Sequence, residues 1–121
     1  MTSRLPYDPK DESIVLARIL PVALRDSAVI LDGEFSWSYG TALNVATWAG
    51  EAGFPVLGVE IWRQVGEHPK WIASSSYPDT HADRFTRAKN ASEQAKQFMG
   101  QYRDDPLALF NMTWDLSGVE P

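Results

Sequence analysis

Apolar residues recur along this chain with two spacings, and each spacing predicts a kind of element. In Ile14-Val15-Leu16-Ala17-Arg18-Ile19-Leu20 they are dense, and Asp8-Pro9-Lys10-Asp11 ahead of them offers an N-cap, a proline at the first helical position and an early acid. A helix is predicted near residues 9–20, ended or kinked by Pro21. Tyr39, Ala42, Leu43, Ala46 and Ala49 fall at three- and four-residue steps, and Gly53 stands where a left-handed cap would sit, which predicts a second helix near 38–52. A third, near 84–103, carries Phe85, Ala88, Ala91, Ala95, Phe98 and Tyr102 on one stripe. Asp83 is its expected cap and Asp104-Asp105-Pro106 its stop.

Elsewhere the period is two. Residues 56–63 alternate, with Leu57, Val59 and Ile61 expected toward the core and Val56, Gly58, Glu60 and Trp62 on the other face. Val65-Gly66-Glu67-His68-Pro69 reads as a turn, and a strand over 70–76 returns with Trp71, Ala73 and Ser75 on one face. A last strand spans 107–116, where Ala108, Phe110, Met112 and Trp114 oppose Leu109, Asn111, Thr113 and Asp115. Ala28-Val29-Ile30-Leu31 is either a short strand or a buried connection, closed by the turn residues Asp32-Gly33-Glu34. The sum is an α+β domain: a small, mainly antiparallel sheet with the helices packed mainly on one face. A single domain over 1–121 is expected, frayed at 1–7 and 117–121.

Composition narrows the chemistry. There is no cysteine, which excludes disulfides, thiolate metal sites and a cysteine nucleophile and fits a reducing compartment. The start lacks the apolar core of a secretory signal and no apolar run reaches the roughly 18–20 residues of a membrane span, so a cytoplasmic protein with no membrane partner is expected. Sixteen acids against eleven Lys and Arg give a net charge of -5, which repels nucleic acid and favours basic partners.

The usual catalytic patterns are weak or missing. His68 lies in a proline-containing turn and His81 in a polar loop, and no nucleophile elbow accompanies either. Asp79-x-His81-x-Asp83 has ligand types at alternate positions, but Arg84 stands where a calcium loop needs glycine and Asn90 where it needs a bidentate Glu. No metal site is expected. Asp32, Glu34 and Glu60 supply carboxylates without a spacing that brings them into one cleft, and the scattered glycines form no phosphate loop. What stands out is Glu60 beside Trp62 on one strand face, in a chain with five tryptophans. Trp37, Trp62 and Trp71 lie where an aromatic anchor serves an interface, whereas Trp48 and Trp114 read as core.

The order of these features resembles a family of bacterial immunity proteins from polymorphic toxin systems, the immunity protein 40-like family. The likeness rests on Trp37 opening a helix, on Glu51-Ala52-Gly53-Phe54-Pro55-Val56-Leu57-Gly58-Val59-Glu60-Ile61-Trp62, on Trp71-Ile72, and on a closing Leu109-Phe110 strand, across about residues 28–116. Gly58, Glu60 and Trp62 keep their places in the family's Gly-Gly-acid-Val-aromatic run, while Val59 and Ile61 depart from it, and Lys70-Trp71-Ile72 stands where Asn-Trp-Tyr is expected. The resemblance implies a stoichiometric toxin inhibitor that needs no cofactor; the missing catalytic motifs fit a binding protein, not an enzyme, and the net negative charge suits a basic cognate toxin domain as partner. Its partner-binding residues would be Asp32, Glu34, Trp37, Gly58, Glu60, Trp62 and Trp71. Two other readings use the same face: a small-molecule protein or minor enzyme with Glu60 and Trp62 as pocket floor and residues 77–83 as lid, or a homodimer contact.

Overall fold

The elements follow from local signals in the order α1 (Pro9–Ile19), α2 (Val22–Asp26), β1 (Val29–Leu31), β2 (Glu34–Trp37), α3 (Tyr39–Ala52), β3 (Val56–Val65), β4 (His68–Ser76), α4 (Arg84–Gly100) and β5 (Ala108–Trp114). The computed structural model describes residues 9–77, 83–117 and 119. The expected cap Asp8, the lid over 77–83 and the Asp79 and His81 positions therefore lie wholly or partly outside the described residues. Pro21 does end α1, and it then caps the short α2, an element the apolar pattern does not predict.

The five strands form one antiparallel sheet in the order β1-β2-β5-β3-β4. Two hairpin turns set its register. Asp32 and Gly33, with φ of 50° and 79°, connect Leu31 to Glu34 as a type I′ turn, the geometry whose twist suits a two-residue hairpin. Gly66, with φ of 62°, leads the Gly66-Glu67 link between Val65 and His68. The predicted turn is thus shorter than expected: His68 and Pro69 already belong to β4. Trp37 belongs to β2, and α3 begins two residues later behind Ser38.

One face of the sheet carries the core. Trp37, Val59, Ile61, Phe110, Met112 and Trp114 meet Leu16, Leu20 and the small residues of α3 and α4 in one hydrophobic cluster. Ala42, Ala46 and Ala49 on α3 and Ala88, Ala91 and Ala95 on α4 let the two helices approach closely. At Gly50 an added Cβ would lie 2.9 Å from Ser92 Cβ, and the Ser92 hydroxyl donates to the Ala46 carbonyl at 2.7 Å. Ser92 and Met99 complete the buried stripe of α4, whereas Phe85, predicted to join it, is exposed.

Two bulges change which side chains reach the core. On β3 the pairing with β5 runs from Val56↔Trp114 to Gly58↔Thr113, so Leu57 is an extra residue. Val56 is buried and Leu57 exposed, the reverse of a strict alternation. On β4 the register steps from Ile61↔Ala73 to Trp62↔Trp71, so Ile72 is the extra residue. Ile72 packs against the core and Trp71 emerges opposite Trp62, not on the face of Ala73.

The ends of the helices are fastened to the sheet by charge. Asp83 caps α4 by accepting from the Thr86 amide at 3.1 Å. Arg84 donates to the Gly53 carbonyl at 2.7 Å and to the Asp115 carbonyl at 2.6 Å, and Arg87 reaches the Asp115 carboxylate at 3.0 Å. Across the sheet, Arg63 pairs with Asp105.

Candidate functional site

The face turned away from the core is where most of the candidate residues stand. Register places Val29, Ser36, Asn111, Glu60 and Ser74 side by side, one from each strand across the sheet. The neighbouring row is Leu109, Trp62 and Trp71. Trp71 is 52% exposed, and Glu60 and Trp62 are half-buried. No hydrogen bond or ion pair joins Glu60 to the other described side chains, and its cross-strand neighbours Asn111 and Ser74 are uncharged.

This face carries a small hollow. Leu31, Asp32 and Glu34 from the β1–β2 hairpin, Ser36 from β2, Asn111 from β5, Trp62 from β3 and Pro69 from β4 together line a cavity of about 20 Å³. Positions far apart along the chain, Asp32, Glu34 and Trp62, are thus brought into one place. Among the described residues no Lys or Arg lines the cavity. At its base the amide of Asn111 donates to the Phe35 carbonyl at 2.8 Å, which orients the side chain. Asn111 Oδ1 and Ser36 Oγ are both buried and have no hydrogen-bond partner among the described residues. A buried acceptor left bare in this way costs about 1–3 kcal/mol.

Two of the expected partner residues do something else. Trp37 is fully buried, stacks with Phe35 at a centroid distance of 6.0 Å and donates its indole N–H to the Leu24 carbonyl at 2.7 Å, so it fixes α2 to the sheet and reaches no partner. Gly58 is buried as well, and its role is to let β4 come close: an added Cβ would stand 2.9 Å from the Ser75 carbonyl oxygen. Trp48 and Trp114 pack against each other edge to face at 6.1 Å, as core residues should.

Sequence pattern misses Ser36, Asn111, Leu31 and Pro69 as site residues. The signals were there in part. Asn111 sits between apolar residues of a strand, and an Asp-Gly pair flanked by Leu31 and Phe35 marks a hairpin whose second strand carries Ser36.

Larger hollows lie on the helical side and are open and shallow. One of about 380 Å³, between α3 and α4, has Phe85 at its edge and the opposed charges of Glu51, Glu93, Lys89 and Lys96 around it. Among the described residues no group of three or more His, Asp or Glu side chains is placed to hold a metal, and no helix is long and apolar enough to cross a membrane. Compared with known families, curated proteins and solved structures, the chain matches none.

Proposed function

We propose that this protein is an immunity protein, cytoplasmic and without catalytic activity of its own, that binds a basic toxin domain stoichiometrically through the face of its sheet turned away from the core. The observation that carries the reading is the grouping of Asp32, Glu34, Glu60, Trp62 and Trp71 on the sheet face away from the core, around a cavity that no Lys or Arg of the described residues lines. Carboxylates on a net-negative protein steer a basic partner toward the face, and exposed tryptophan supplies the desolvated anchor that slows its departure. The cavity there is about 20 Å³, against the roughly 300–1,000 Å³ of typical small-molecule sites, which favours a protein partner over a metabolite.

Co-expression with the product of a neighbouring toxin gene tests the proposal. The wild type should restore growth and form a one-to-one complex by calorimetry. Trp71→Ala should weaken the complex by about 2 kcal/mol, roughly thirtyfold, and Glu60→Lys should weaken it further by charge reversal. Trp71 is open enough that Trp71→Ala should keep the wild-type melting temperature, and a thermal scan of Glu60→Lys, at a half-buried position, separates lost folding from lost binding. Full protection by the Glu60→Lys, Trp71→Ala double variant would sink the reading.

A further inference from the structure

The cavity over Ser36 and Asn111 has a more specific chemistry than the face around it. Ser36 and Asn111, only 1% and 5% exposed, are among its lining residues, and Ser36 Oγ and Asn111 Oδ1 are buried there without a partner among the described residues. Because the amide nitrogen of Asn111 is committed to the Phe35 carbonyl, the oxygen is the end left to accept. These two atoms ask for a donor.

We infer that this cavity is a primary-ammonium site, which takes a lysine side chain from the basic protein partner. An alkylammonium group has three donors and no acceptor, and the lining residues offer the unpartnered Asn111 Oδ1 and Ser36 Oγ and the negative charge of Asp32. A volume of about 20 Å³ admits one water-sized group, which needs at least about 10–15 Å³, and so suits a compact ammonium head better than the broader planar guanidinium of arginine. Leu31 and Pro69 give the aliphatic stem of lysine apolar surface to lie on, and Trp62 offers an aromatic wall to the cation. A water molecule would serve Ser36 and Asn111 equally well; the Asp32 carboxylate and the Trp62 ring are what select a cation. The identity of the partner rests on the proposed toxin-binding function, whereas the chemistry of the cavity does not.

Nα-acetyl-lysine amide, titrated into the isotope-labelled full chain and followed by NMR, tests the site directly. Saturable shifts of the Asn111 side-chain amide and the Trp62 indole are expected, weaker for the arginine analogue and absent for the Nε-acetylated lysine analogue. Asp32→Asn and Ser36→Ala should each weaken binding about three- to tenfold. Asn tolerates the left-handed φ of 50° at position 32, and Ser36→Ala removes a buried, unpartnered oxygen, so both variants should fold. Non-saturating shifts, shifts matched by sodium chloride or by the acetylated analogue, or undiminished binding in both variants would overturn the site. Toxin neutralisation by a protein that binds no lysine probe would leave the proposed function standing and remove the site. Lysine binding without neutralisation would do the opposite.

Discussion

Gly58 has no room for a side chain, and the obstacle is backbone. A Cβ there would meet the Ser75 carbonyl oxygen at 2.9 Å and Thr113 Oγ1 at 3.4 Å, so β4 would have to move away from β3. Overpacking of this kind costs about 1–3 kcal/mol. Gly58→Ala should therefore lower the melting temperature by several degrees in a thermal scan, and an unchanged temperature would mean that the edge strand yields freely. The same close look separates the tryptophans. A sequence reveals that Trp37, Trp62 and Trp71 are large, amphipathic and near turns or strand ends, and those properties suit a core and an interface alike. Only the partner of each indole decides. Trp37 finds the Leu24 carbonyl inside the fold, while Trp71 remains half in solvent beside an acidic face.

At the scale of elements, the three longer helices and the last strand were legible because their periods are long and unbroken, as in Ala108, Phe110, Met112 and Trp114, whereas the five residues of α2 are too few to show one. The bulges at Leu57 and Ile72 were not, because an inserted residue shifts the alternation without leaving a mark in residue type. Their effect is large: they turn Val56 inward, Leu57 outward and Trp71 toward Trp62. The joint between α3, α4 and the end of β5 has a different dependence, on pH. Burial alone would raise the Asp115 carboxyl, but bonds from Ser117 and Arg87 and the charge of Arg84 hold it below its ordinary value of 3.8. Hydrogen bonding from Arg63 chiefly lowers Asp105 likewise. A carboxyl with a lowered folded pKa binds protons more readily when unfolded, so its stabilisation is present above about pH 4 and is lost as pH falls through the folded value. Urea midpoints measured from neutral pH downward should drop in the acid range for the wild type. The drop should be shallower for Asp115→Asn, which starts less stable; parallel curves would show that Asp115 does not contribute.

Across the whole molecule, charge and shape act on different parts of binding. The net charge of -5 and the carboxylates of Asp32 and Glu34 at the cavity, with Glu60 beside Asn111, produce a field that extends about a Debye length, some 10 Å at 0.1 M salt, beyond this face. Composition made that sign legible, but its location was not, since only the order β1-β2-β5-β3-β4 brings the hairpin acids of β1 and β2 across to Trp62. The field speeds encounter with a basic protein, whereas Trp62, Trp71 and the small cavity act after contact, over distances too short for salt to screen. Association with the toxin partner should therefore slow by about ten- to a hundredfold between low salt and about 0.5 M, while dissociation changes much less. Trp71→Ala should show the converse, with faster dissociation and a nearly unchanged association rate. Surface plasmon resonance over a salt series separates the two. An association rate that ignores salt, or a Trp71→Ala variant that slows encounter and leaves residence time intact, would mean that the acidic sheet face is not the surface the partner meets.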